Sequence, residues 1–234
     1  MKWLYMYVNM GTILVPFLYS FHPRIRFYKE FGHFLVSASI SALFFVIWDS
    51  IFTVHGVWHF NPDYVLGIYI GNLPLEEVLF FYCIPFSCQF TFFCLEKFWP
   101  VRWSRKAENW FVLVFTVVLV GISVVYRRQA YTCITFSITA LIFLALKFIA
   151  KVDWLHKAAT YYSVLLLPFF IVNGILTGTG PDAPVVIYND AENMGIRLLT
   201  IPIEDVIYGF EMFLLNIFFF KLISSRSRKV ALSM

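Results

Sequence analysis

Seven apolar runs decide what this chain can fold into. They lie near residues 3–20, 32–53, 74–95, 108–126, 130–150, 159–177 and 201–223, each about the 17 to 25 residues needed to cross about 30 Å of hydrocarbon as a helix. With 60% hydrophobic residues, 14% charged residues and a mean hydropathy of +0.76, a water-soluble domain is ruled out. The expected architecture is all-α, a polytopic membrane protein of about seven transmembrane helices. Runs four and five are parted by Arg127, Arg128 and Gln129, which suits a tight helical hairpin. Run one lacks a small-residue cleavage site and is followed by a second span, so it reads as a retained helix.

The cations orient the helices. With the N-terminus outside, the inner loops and tail collect Arg24, Arg26, Lys29, Lys97, Arg102, Arg105, Lys106, Lys147, Lys151, Lys157, Lys221, Arg226, Arg228 and Lys229. The outer side keeps Lys2, Arg127, Arg128 and Arg197. Such a bias places the C-terminus in the cytoplasm and predicts an integral protein of a bacterial inner (plasma) membrane. The net charge of +4 then reads as topology and contact with anionic membrane lipid. No basic face with interleaved aromatics offers itself to nucleic acid.

Two segments repeat. Gly67–Tyr82 reads GIYIGNLPLEEVLFFY and Gly195–Gly209 reads GIRLLTIPIEDVIYG, each with two adjacent acids just after a proline. Upstream, Asp49 matches Asn173, Thr53 matches Thr177 and Gly56 matches Gly180 at one constant offset. After a four-residue insertion the register resumes, pairing Pro74 with Pro202, Glu76 with Glu204 and Glu77 with Asp205. Corresponding helices are four spans apart, and an even separation keeps them parallel, with the repeat axis along the membrane normal. All four acids are therefore expected at one depth, toward the outer leaflet, where they can face one central cavity. The expected organisation is a single domain, 1–234, with a first repeat at 1–100, a connecting helix at 101–129, a second repeat at 130–225 and a basic cytoplasmic tail at 226–234.

Ionisable groups at the hydrocarbon edge are costly and mark functional sites by default. Proline fits the first turn of a helix, so Pro74 and Pro202 are expected to start helices three and seven, with the acids in the first turn. There the helix dipole favours a carboxylate, while apolar burial favours the neutral acid. Helix capping and interhelical hydrogen bonding are the plainer reading of the same acids. Duplication in register with Asp49 or Asn173 upstream argues for chemistry.

At these residues the chain resembles a known family. Trp48 and Asp49, with the run from Phe52 to Phe81, FTVHGVWHFNPDYVLGIYIGNLPLEEVLFF, resemble the lycopene cyclase domain of the membrane-integral carotenoid cyclases, which occur as two small subunits or as one fused chain. The later IPIEDVIYG resembles that family's second-half motif, so the resemblance covers essentially the whole chain in its fused two-repeat form. It implies a redox-neutral, acid-catalysed cyclisation of the ends of lycopene, or a related linear carotenoid, to β-rings, giving γ-carotene and β-carotene. Such a reaction protonates the terminal double bond, lets the neighbouring alkene attack the carbocation, and ends by losing a ring proton. An acid kept neutral by an apolar site suits the first step. Glu77 and Asp205 are the first proton-transfer candidates, with Glu76 and Glu204 as close partners and Asp49 as a fifth acid that fixes a donor's state or acts itself. Aromatic faces attract cations, so Trp48, Trp58, Phe60, Tyr64, Phe80, Phe81 and Tyr208 are candidate walls of the substrate site, though each is equally a packing residue in a chain with 28 Phe and 13 Tyr. Asn173 stands at the first copy's Asp49, and no W-x-F-N-P follows Gly180, so the halves are not chemically equivalent. Arg197, the cation in the outer connection near these acids, is expected to pair with one of them and hold it ionised.

Other chemistries fit less well. His55, His59 and Asp63 recur every four residues, but Gly56 and the Asn61–Pro62 dipeptide break the helix that would align them on a metal. Cys83, Cys88, Cys94 and Cys133 show no C-x-x-C spacing and read as small buried hydrophobes. No G-x-G-x-x-G indicates a dinucleotide site, and no paired D-x-x-x-D suits a diphosphate. The reading therefore calls for no cofactor and no metal. A retinal protein needs a lysine deep in helix seven, where Lys221 sits at the cytoplasmic end. The alternative is a proton-coupled secondary transporter using the repeat-related acid pairs as a relay.

Overall fold

The computed structural model describes residues 1–232, with side chains as far as Ser227. Arg228, Lys229 and most of the expected basic tail thus lie outside the described side chains. The helices are α1 (Leu4–Ser20), α2 (Phe31–Val54), α3 (Leu75–Phe98), α4 (Arg105–Val125), α5 (Ala130–Leu144), α6 (Leu155–Thr177) and α7 (Ile203–Leu232). Six of them, with their flanking turns, form apolar segments of 20 to 28 residues, long enough to cross a membrane. α1 has 17 residues, at about 1.5 Å per residue the lower end of that range. The chain is an all-α polytopic membrane protein.

Six short strands, not anticipated from the sequence, occupy the two connections that precede the acid pairs. They are β1 (Trp58–Phe60), β2 (Tyr69–Ile70), β3 (Leu73–Pro74), β4 (Val186–Tyr188), β5 (Arg197–Leu198) and β6 (Ile201–Pro202). β2 pairs with β3 and β5 with β6 as antiparallel hairpins, with Tyr69 opposite Pro74 and Arg197 opposite Pro202. Pro74 and Pro202 therefore end hairpin strands, and the helices begin one residue later. The next residue in each copy continues the hairpin: Leu75 N–H donates to Ile68 O (2.8 Å) and Ile203 N–H to Ile196 O (3.0 Å).

The two turns, Gly71–Asn72 and Leu199–Thr200, differ in what fills the first position. Gly71 takes φ +65°, whereas Leu199, its counterpart, takes φ +59°. A two-residue hairpin turn with φ > 0 at its first central residue favours glycine, and a side chain in that left-handed region costs roughly 1–2 kcal/mol. Leu199 is 78% exposed, so little packing offsets the strain. Leu199→Gly is expected to stabilise the protein by about 1 kcal/mol, read as a higher midpoint of thermal unfolding in detergent.

The residues group into two compact units, one comprising 1–94 and the chain from 212 on, the other 95–211. In the first, Phe27, Phe34, Ala38, Phe86 and Phe220 form a buried core, with Phe34 edge-on to Phe86 at 5.2 Å and Phe27 tilted against Phe93 at 5.2 Å. Offset and edge-on aromatic pairs of this kind add to the area they bury. In the second, Leu119, Phe136 and Ala140 are packed by Phe115, Ile122, Met194 and Ile207. α6 and α7 approach closely at Gly209, where a Cβ would stand 2.7 Å from the Tyr162 hydroxyl. That hydroxyl is held by the Val206 carbonyl at 2.8 Å, so it cannot easily yield. A π-turn at Ala145–Ile149 continues α5 and carries Lys147 to Glu108, which also takes His156 Nδ1 at 2.6 Å.

Candidate active site

The hairpins position the acids. In the first unit, the β2–β3 turn is tied back to α2 by Asn72, which donates to Ser50 O (2.9 Å) and accepts from Ser50 Oγ (2.6 Å). In the second, Thr200 takes that place, within 2.8 Å of Thr177 Oγ1 and 2.6 Å of Thr179 Oγ1. Each helix start is thereby pinned to the end of the preceding helix, α2 or α6, and the acids fall in the first turn of α3 or α7. All five expected acids are buried: Asp49 is 2% exposed, Glu76 0%, Glu77 7%, Glu204 0% and Asp205 4%. Burying carboxyl groups this fully is costly unless hydrogen bonds satisfy them.

Within each pair the two acids have different partners. Glu76 Oε1 accepts the Leu66 N–H at 2.7 Å, and Glu204 Oε1 accepts the Met194 N–H at 2.7 Å. Glu204 also takes the Thr132 hydroxyl at 2.5 Å. These first members fasten the loop to the helix. The second members meet tyrosines: Tyr5 of α1 donates to Glu77 Oε2, and Tyr131 of α5 donates to Asp205 Oδ1 at 2.5 Å. The repeat thus extends to a tyrosine near the start of each copy's first helix.

Around Glu77 the first unit is aromatic and carries a second acid. Asp49 lies within electrostatic reach of Glu77 and accepts the Trp58 indole N–H at Oδ1. An indole N–H can only donate, so that oxygen is an acceptor. Phe80 is edge-on to Tyr5 at 6.2 Å, Phe81 stacks on Phe45 at 5.9 Å, Trp48 stacks on Phe45 at 6.3 Å and Trp58 leans on Phe52 at 5.0 Å. Tyr64 is buried and its carbonyl accepts the Tyr5 N–H at 3.3 Å, which makes it a support for Tyr5. Phe60 is half-buried at the end of β1.

The second unit surrounds Asp205 with phenols instead. Tyr188 donates to Asp205 Oδ2 at 3.0 Å, and its ring stacks on Tyr131 at 5.8 Å. Tyr208 meets Tyr131 edge-on at 6.4 Å. Asn173 is half-buried on α6, its carbonyl accepting the Thr177 hydroxyl at 2.8 Å. Arg197 departs from its expected pairing: its guanidinium bonds Asp190 Oδ1 at 2.5 Å and Thr200 O at 2.8 Å, and lies 6.0 Å from the centre of the Tyr188 ring. The hairpin register turns the side chain back along the loop toward Asp190. Its charge reaches Asp205 through space, without a direct hydrogen bond.

Several participants escaped the sequence reading. Tyr5, Tyr131 and Tyr188 are ordinary members of a tyrosine-rich chain until their contacts are seen. Glu211, fully buried in α7 and bonded by Thr139 Oγ1 at 2.8 Å, had a readable signal, an acid inside the last apolar run. Glu204 and Glu211 lie seven residues apart, as do their partners Thr132 and Thr139, so α5 and α7 meet along a polar seam of the kind that joins membrane helices.

Comparison with known proteins agrees with this duplicated arrangement. A family model described as lycopene cyclase matches residues 2–95 and again 128–223, the segments carrying α1–α3 and α5–α7, with α4 lying between them. A curated relative, the bifunctional lycopene cyclase/phytoene synthase of Gibberella fujikuroi, is 25% identical over 114 residues, covering 45% of this chain and 19% of that protein. The chain thus matches about a fifth of the relative's length. No solved structure matches. With one family model accounting for both copies, and both carrying the buried acid pair and its tyrosine, the chain belongs to the lycopene cyclase family.

Proposed function

We propose that this chain cyclises the ends of lycopene, or of a related linear carotenoid, to β-rings inside the membrane, without net redox change. The observation that carries the proposal is the buried Glu77–Asp49 pair with Tyr5 on one carboxyl and Trp58 on the other. Cyclisation requires a neutral carboxylic acid, a carboxylate close by, and walls that tolerate a carbocation. Two carboxyls within electrostatic reach of each other in an apolar site favour holding one proton over losing both, as coupled acid pairs do. Glu77 is the donor in this reading, adding its proton to the terminal carbon–carbon double bond. The neighbouring alkene closes the six-membered ring, and Asp49, whose indole partner leaves it an acceptor, takes the proton released as the ring double bond forms. Atoms and charge balance, and the product is an isomer of the substrate.

Aromatic faces at Phe80, Phe81, Trp48 and Trp58 support the transient cation through their quadrupoles. In the second unit Asp205 is a carboxylate held by two phenols, suited to stabilise positive charge or to accept a proton. Glu76 and Glu204 act by fastening their loops. The bias of cations supports an N-terminus outside and a cytoplasmic C-terminus, with the acids toward the outer leaflet. Expression in cells that accumulate lycopene tests the function. Pigment chromatography is expected to show γ-carotene and β-carotene replacing lycopene; unaltered lycopene beside well-inserted protein would refute the assignment.

A further inference from the structure

Glu77 carries a phenol to which the reaction scheme gives no task. Tyr5, the second residue of α1, is 1% exposed and donates its hydroxyl to Glu77 Oε2. Contacts within the first unit fix its position. The Tyr5 N–H donates to Tyr64 O at 3.3 Å, and the ring meets Phe80 edge-on at 6.2 Å. One helical turn on, Asn9 Nδ2 donates to Glu76 O at 2.8 Å. The face of α1 that carries Tyr5 and Asn9 is thus fastened to the first turn of α3, and the fold itself holds the phenol on the carboxyl.

That bond counts most when Glu77 loses its proton. Protonating an alkene turns a neutral acid into a carboxylate, and here the charge appears on a group that is 7% exposed and within electrostatic reach of Asp49. A hydrogen bond to an ionised acceptor is about twice as strong as one between neutral groups, so the Tyr5 hydroxyl binds the carboxylate more strongly than the acid. An interaction that strengthens as charge develops lowers the barrier, whereas one of constant strength does not. The phenol cannot replace Glu77 as donor, being a far weaker acid than a carboxylic acid.

We propose that Tyr5 is a positioning residue for the protonation step: its hydroxyl stabilises the carboxylate left on Glu77 as the proton passes to the terminal double bond. The inference rests on the cyclase reading and deepens it. In that step the Glu77 O–H bond breaks, the alkene π pair forms the new C–H bond, positive charge appears on the other alkene carbon, and Tyr5 keeps its own proton. Tyr5 acts through Glu77 and touches no substrate. Tyr131 makes the matching bond to Asp205 at 2.5 Å, so a phenol on the second acid is built into both copies of the repeat.

The test follows single-turnover ring formation in membranes, with the full chain in excess over lycopene, read as a maximal rate and the protein concentration that gives half of it. Tyr5→Phe is expected to lower the maximal rate about 10- to 100-fold, as for loss of a hydrogen bond to developing charge, and to leave the half-maximal concentration within about twofold. A ring-fluorinated tyrosine placed at Tyr5 alone controls for packing. It is a more acidic phenol of nearly the same shape, and the stronger donor should raise the maximal rate about twofold. A loss of more than about threefold in Tyr5→Phe together with a gain in the fluorinated protein supports the proposal. A smaller loss overturns it, as does a loss confined to the half-maximal concentration, which would place Tyr5 in binding. A fluorinated protein no faster than wild type also overturns it, because the phenol would then serve packing alone. If Tyr5→Phe does not insert, the fluorinated protein decides by the same criterion. Absence of any cyclised product from wild-type protein would remove the cyclase reading and this proposal with it, whereas rings formed by wild type beside any of the contrary results remove this proposal alone.

Discussion

Glu77→Gln is expected to lower the rate of ring formation at least about 100-fold while the protein remains inserted and folded, within the range ascribed to positioned acid–base groups. Glutamine keeps the volume of the side chain, and its amide oxygen can still accept the Tyr5 hydroxyl that Glu77 accepts. What it cannot do is give up a proton to an alkene. Asp49→Asn should have an effect of similar size if Asp49 takes the ring proton. It also leaves the Trp58 indole an acceptor at the same place, so a loss there reads chemistry and not packing. The informative contrast is Glu76→Gln. Its carboxyl is as buried as its neighbour's but binds the Leu66 N–H, a contact that an amide oxygen preserves, and the rate is expected to stay within about threefold. Equal losses at Glu76 and Glu77 would contradict the division of labour within the pair. Rates are measured as cyclised carotenoid formed per unit of inserted protein in isolated membranes.

Asp205→Asn is the second large effect, expected to cost about 10² to 10³ in rate, comparable to removing a fixed electrostatic stabiliser from an active site. Two hydroxyls, from Tyr131 at 2.5 Å and Tyr188 at 3.0 Å, converge on the two oxygens of this carboxylate. An asparagine must turn its NH₂ toward one of those donors. The substitution therefore removes the charge and also leaves a phenol to find another partner. Tyr131→Phe keeps the charge and removes one donor, so a smaller loss of about tenfold is expected, in line with about 1–2 kcal/mol for a hydrogen bond to a charged group. If Asp205→Asn cyclises at the wild-type rate, the second unit's acid has no part in the chemistry, whatever the role of Glu77.

The helices and the repeat were legible in the sequence because both are carried by local pattern. Apolar runs end within a few residues of the helices except at α7, which continues past the run near 223 to Leu232, and the register from Gly67 to Gly195 reappears as matched hairpins, matched loop anchors at Leu66 and Met194, and matched acids in the first helical turn. What the sequence could not reveal is carried by contacts between distant segments. Tyr5 meets Glu77 and Tyr131 meets Asp205 across more than seventy residues, and nothing marks those tyrosines among thirteen. The roles of adjacent acids were equally hidden, since residues about 100° apart on a helix face different neighbours. Arg197 went astray for a related reason. Charge complementarity favoured the acid pair, but the hairpin that carries Arg197 brings it to Asp190. The short strands are too brief to leave a period of two.

The central claim is that the chain's own carboxyl groups convert a linear carotenoid into a cyclic isomer. Its most direct test is purified protein in lipid vesicles, given lycopene and no added redox cofactor, with products resolved by chromatography and weighed by mass spectrometry. The account predicts products that elute as β-ring carotenoids and have the same mass as lycopene. Recovery of unchanged lycopene from folded, vesicle-inserted protein, or products lighter or heavier by two hydrogens, would contradict it.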